Sequence, residues 1–157
     1  MAYRWWVFLH VVGAFGFVMA HGVSVSITFR LRKERDRAKI QELKQLSGAT
    51  IITLYVSLAL LLVGGIVAAL TGPYRGYWWP WVALGILVFL LVEMSVVARP
   101  YYQKVADATQ LRESGVPRKS DEELDQLLRS PIAMANTVVG FAGLLVILWL
   151  MVFKPGS

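Results

Sequence analysis

Four long apolar stretches divide this chain, at about 5–29, 49–71, 80–98 and 131–153, with charged segments between them. A bilayer's hydrocarbon core is about 30 Å thick and takes roughly 20 helical residues to cross, so each stretch is long enough to span it. Composition agrees. The 157 residues are 57% apolar and 17% charged, with mean hydropathy +0.57, whereas a soluble domain lies nearer half apolar and a quarter charged. The expected fold is all-α: one integral membrane domain, 1–157, built as a four-helix transmembrane bundle.

The charges predict how that bundle sits. Of the sixteen Lys and Arg residues, seven fall between the first two spans: Arg30, Arg32, Lys33, Arg35, Arg37, Lys39 and Lys44. Six more lie between the last two: Arg99, Lys104, Arg112, Arg118, Lys119 and Arg129. Only Arg4, Arg75 and Lys154 remain for the other side. Loops rich in Lys and Arg stay cytoplasmic. Loops 30–48 and 99–130 are therefore expected inside, with the turn 72–80 and both termini outside the cell's inner membrane. A net charge of +6 would hint at nucleic acid in a soluble chain, but here the cations are drawn to anionic lipid instead. No nucleic-acid partner is expected.

Local signals set the expected boundaries. Tyr3, Arg4, Trp5 and Trp6 read as an interfacial anchor. The positive cluster follows the first apolar run rather than preceding it, so that run reads as a retained helix and not a signal peptide. Ile40, Leu43 and Leu46 have helical spacing. That segment either extends the first helix or lies as an amphipathic helix on the lipid surface. Gly48 should break the chain before the second span. Gly72-Pro73 is a turn signal that predicts an antiparallel hairpin of spans two and three. Arg99-Pro100 should end the third span, and Ser120 with Glu123 fits a capping box that opens a short acidic helix. All six tryptophans (Trp5, Trp6, Trp78, Trp79, Trp81 and Trp149) fall at the outer boundary, as an aromatic belt would place them.

The residues with potential chemistry are few. His10 and His21, the only histidines, sit eleven residues apart in the first span. Eleven steps of about 100° bring both rings to one helix face, about 16 Å apart along the axis. Polar groups inside a bilayer usually face protein, so each histidine marks a candidate site. Their face reads His10, Gly13, Ala14, Phe17, Ala20, His21, Ser24 and Thr28, whose small residues permit close helix approach. Val12, Phe15, Met19 and Val23 form the lipid side. Gly65 and Gly85 fall at about the depth of His10, where bare backbone would leave clearance for a flat macrocycle. Near the depth of His21 lie Glu93, Tyr55, Ser57, Asn136 and Thr137, which form either a polar packing layer or a proton relay, a metal or haem ligand shell, or a polar substrate site. Glu93, the only acid within a span, should be protonated or paired with a group such as His21.

One imidazole, at His10 or His21, could ligate a metal or b-type haem. Both cannot reach one metal across about 16 Å unless the helix breaks. A second axial ligand would come from Met94 or Met134, from a second copy of the chain, or from nowhere. Copper(I) also favours thioether and imidazole, but Met19, Met94, Met134 and Met151 form no motif. The chain has no cysteine, which excludes disulfides, thiolate metal sites and covalent haem attachment within it. It also has no nucleophile elbow, phosphate loop or zinc-protease helix. Three functions remain: a haem or metal protein for redox or cofactor handling, an accessory or assembly subunit of a larger respiratory or photosynthetic membrane complex, and a small transporter component. The lipid bilayer, a second copy and such a complex are the expected partners.

Tyr3-Arg4-Trp5-Trp6, the run from Leu9-His10 to Gly13-Ala14, and His21-Gly22 with its trailing basic cluster together resemble a bacterial family. So do Pro100-Tyr101-Tyr102 and Trp149 through Pro155. Its members are predicted four-helix integral membrane proteins of unknown function. The family is distantly similar to the copper-resistance protein D group and to the haem-binding protoporphyrinogen oxidase of the HemJ type. The resemblance implies four helices with His10 as the shared histidine and a cofactor role for it. The chain departs from those relatives in carrying Phe15-Gly16-Phe17 and Met19 where they have Trp and Gly.

Overall fold

The computed structural model describes residues 1–157, and its regular structure is helical throughout, apart from one isolated bridge between Leu111 and Pro117. Helix α1 covers Ala2–Leu31, α2 Arg37–Ala49, α3 Ile51–Thr71 and α4 Trp79–Glu93. A π-helical turn at Met94–Ala98 leads into α5, Arg99–Thr109, followed by α6, Asp121–Leu128, and α7, Pro131–Phe153. Four helical stretches are long and apolar enough to cross a membrane. Their starts follow local chemistry. Asp36 caps α2 by accepting from the Ala38 N–H, and Ser130 caps α7, where Pro131 fills the first turn that needs no N–H. The Ser120–Glu123 capping box forms as expected, with both of its reciprocal bonds present.

Two expected boundaries are corrected. The helix of the third span does not end at Arg99-Pro100, because it runs on to Thr109. Proline lacks an N–H and its ring crowds the preceding turn, which normally kinks or stops a helix. Here the π turn widens the ladder just before Pro100, so that the Arg99 N–H bonds to the Met94 carbonyl. The axis continues past the proline. Gly48 is not a break either; it lies inside α2, and the interruption falls at Thr50.

The expected hairpin of spans two and three is also corrected. Residues 72–78 join α3 to α4, but the extensive packing is α1 on α3 and α4 on α7. The reason lies in the glycines. Cβ atoms at Gly13 and Gly64 would fall 2.7 Å from the Ser57 carbonyl oxygen and from the His10 amide nitrogen respectively. The backbones of α1 and α3 therefore touch directly. Small residues drive such contacts where lipid supplies no hydrophobic force between helices.

Half of the buried apolar residues lie outside the spans. Ile27, Leu31, Ile40, Tyr101, Val105, Ala108, Leu124, Leu128 and Ala133 form one cluster at the basic end. Ile40 and Leu43 join it, so α2 turns its apolar side onto protein rather than lipid, while Leu46 stays exposed. Arg37 ties this cap together by donating to the carbonyls of Ala108 and Lys119 and to the Asp121 carboxylate. A smaller cluster of Trp79, Ala83 and Leu150 sits at the opposite end. Trp79 is therefore no belt anchor. It is buried edge-on against Tyr74, whereas Trp5, Trp78, Trp81 and Trp149 are exposed.

Candidate functional site

The histidine face of α1 is the interior face, as its spacing predicts. Gly13, Phe17, Ala20 and Thr28 are buried, while Val12, Phe15, Met19 and Val23 are exposed. Helix α1 runs unbroken between the two rings, so one chain cannot bring both to one metal. The two imidazoles have very different surroundings.

His10 is anchored. Its Nδ1 lies 2.8 Å from the Leu61 carbonyl oxygen. A carbonyl only accepts, so Nδ1 carries the proton, and in the neutral imidazole the free lone pair is on Nε2. The imidazole fills the notch above Gly65, where a Cβ would come within 2.6 Å of Nδ1. This corrects the role expected of Gly65, because its clearance is occupied by the histidine ring itself and not left for a macrocycle. Gly13 is likewise used up by the α1–α3 backbone contact. Gly85 is exposed on α4, where a Cβ would meet no atom within 4 Å. It does not meet His10.

His21 is orphaned. Both of its ring nitrogens are shielded, and neither has a hydrogen-bond partner. Its ring stacks parallel to Phe17, with centroids 6.2 Å apart, and meets the edge of Phe141 at 6.1 Å. Bare Gly140 lets α7 approach, since a Cβ there would stand 3.3 Å from Nε2. The expected pairing with Glu93 is absent, as the carboxyl makes neither a hydrogen bond nor an ion pair with His21.

The expected polar layer is dispersed. Tyr55 is 64% exposed on the outside of α3. Ser57 is buried in the α1–α3 seam against Gly16. Thr137 donates back to the Ala133 carbonyl of its own helix, and the Asn136 amide nitrogen has no partner. Met94 lies in the π turn and Met134 in the first turn of α7. No three His, Asp or Glu side chains gather into a cluster that could hold a metal ion. Sequence reasoning missed the Leu61 carbonyl because a backbone acceptor leaves no mark in residue type. The Phe17 partner of His21 was discoverable, since four residues separate neighbours on one helix face.

A family model described as "Predicted integral membrane protein (DUF2269)" matches residues 5–155. No curated protein and no solved structure matches the chain.

Proposed function

The chain belongs to the DUF2269 family of predicted integral membrane proteins, and from that premise we propose that it holds a b-type haem or another metal through Nε2 of His10. The observation that carries this reading is the 2.8 Å contact between His10 Nδ1 and the Leu61 carbonyl. Ligating histidines characteristically donate their second N–H to a carbonyl or carboxylate, which fixes the tautomer, orients the ring and raises its basicity. His10 meets that condition. The His10 ring fills the space over Gly65, so no macrocycle fits between α1 and α3 there. When bound, a haem would supply one-electron chemistry within the membrane. Helix α1 and the Leu61 carbonyl supply the ligand's position.

The test is a visible spectrum of the detergent-purified protein, oxidised and then dithionite-reduced, together with metal analysis. A Soret band that His10→Ala abolishes and His21→Ala retains supports the reading. A featureless spectrum and no metal after haem-sufficient expression would overturn it. That result would favour an accessory subunit docked through the exposed outer tryptophans Trp5, Trp78 and Trp81. The charge bias, thirteen basic residues on one side against three on the other, supports placing both termini outside the inner membrane. Alkaline phosphatase fused after Ser157 should then be active, and an inactive fusion would reverse the orientation.

A further inference from the structure

The basic end of the molecule is less uniformly cationic than its sequence implies. Arg35 and Arg129 both pair with Asp125, Arg37 pairs with Asp121, and Arg32 donates to the Ser130 carbonyl. These four guanidinium groups are spent on holding the cap together. The cations left over are not evenly spread.

Two of them, Lys104 and Arg118, face an open cleft of about 620 Å³ between α5 and α6. Neither forms an ion pair. Lys119 also lines the cleft, but its charge is taken by Glu123 at 2.9 Å. Asp107 is the remaining acid of the lining. Gln126 and Ser130 add neutral hydrogen-bonding groups.

The position of the cleft matters as much as its charge. Ser130 immediately precedes Pro131, the first residue of the fourth span. Lys104 stands six residues past Ala98 on a helix continuous with the third span, or about 9 Å along its axis. If the hydrocarbon ends near Ala98 and Pro131, as the apolar stretches imply, both positions lie at headgroup depth.

We infer that this cleft seats the phosphate of an anionic phospholipid headgroup between Lys104 and Arg118 at the basic face of the membrane. Arg118 offers a planar fork suited to phosphate oxygens, and Lys104 a mobile point charge. The acyl chains would leave past the entry of α7.

The test uses the purified full-length chain in a neutral detergent, with lipid binding followed by thermal shift and native mass spectrometry. Short-chain phosphatidylglycerol should bind and raise the melting temperature, and phosphatidylcholine should not. The double variant K104Q/R118Q should weaken phosphatidylglycerol about 25-fold, roughly fivefold for each cation. The double variant K33Q/K39Q, which removes equal charge outside the cleft, should weaken it less than about threefold. Circular dichroism of both variants checks that the helices persist. Equal loss in the two double variants would overturn the inference in favour of diffuse attraction. Equal binding of phosphatidylcholine would overturn it too. Inorganic phosphate or glycerol phosphate binding as well as the lipid would overturn the lipid assignment and make the cleft a site for a soluble phosphate.

Discussion

The α1–α3 seam and the basic cap are packed by opposite rules. In the seam, Gly13 and Gly64 meet the backbone of the neighbouring helix, Gly16 the Ser57 side chain and Gly65 the His10 ring. In the cap, Ile40, Val105 and Leu128 are completely enclosed by other side chains. The difference follows from the solvent on each side. Lipid tails are as apolar as leucine, so helices inside the bilayer gain little by hiding large side chains and much by close contact. Beyond the bilayer, water restores the hydrophobic drive, at about 25 cal/mol per Å² of apolar surface buried. One chain therefore contains a region that tolerates no added atoms and a region that tolerates no lost ones.

The largest effect should come from adding a methyl group to the seam. A Cβ at Gly13 would lie 2.7 Å from the Ser57 carbonyl oxygen and 2.9 Å from the Leu60 carbonyl carbon. Backbone atoms cannot rotate out of the way, so Gly13→Ala should separate α1 from α3 or prevent folding. Gly22→Ala, on the same helix with nothing within 4 Å, should keep the melting temperature or raise it slightly, as an open helical glycine allows. Equal melting of the two variants would show that the seam is not packed backbone to backbone.

The cap should respond to the reverse change. Leu128 is 1% exposed, and Leu128→Ala removes buried carbons and leaves a cavity, at a cost of about 2–5 kcal/mol. The same truncation at Leu145, 64% exposed on α7, should cost far less in detergent. Thermal or denaturant melts of the pair would measure the contrast, and similar losses would erase the distinction between the two regions.

How much of this is legible in the sequence depends on whether the signal resides in side chains. The inward face of α1 is legible because Gly13, Phe17 and Ala20 recur at helical spacing, opposite Phe15 and Met19. The Ser120–Glu123 capping box is legible because it is a local pattern of two side chains. The partner of α1 is not, since glycine contacts carry no complementary residue type. The π turn before Pro100 is a backbone adjustment that the proline alone does not announce. Depth along a helix is also a weaker guide than direction around it. Residue counting puts Glu93 and His21 at one level, but their side chains do not meet. His10 stands out in the sequence for its residue type, whereas its anchoring depends on the Leu61 carbonyl, which any residue would provide.

Acid should act on the cap before it acts on the seam. The Glu123 carboxyl is held below the ordinary glutamate range, first by the Lys119 ammonium and then by the Ser120 N–H. The Glu34 carboxyl is lowered by the N–H groups of Asp36 and Arg35. A depressed carboxyl contributes stability that is present above its unfolded value, about 4.3, and lost as pH falls through the folded value. Melting temperature should be level from about pH 8 to 5 and decline below about pH 4.5. Glu123→Gln should lower the plateau slightly and reduce the acid decline. A decline of the same size in that variant would move the responsible group elsewhere. Both carboxyls are exposed, so the effect is small.

The smallest effect sharpens the comparison most, because it repeats the seam's lethal substitution in the cap. Gly48 lies inside α2, and no atom stands within 4 Å of where its Cβ would go. Alanine there meets nothing and restricts the unfolded chain, so Gly48→Ala should stabilise by about 0.4–1 kcal/mol. The same change of one methyl group then has opposite signs at Gly13 and Gly48. Glycine propensity for helices is equal at both positions, so the sign is set by what surrounds each one. If Gly48→Ala lowers the melting temperature, α2 must bend at that residue, and the break that glycine signals in the sequence would exist in solution after all.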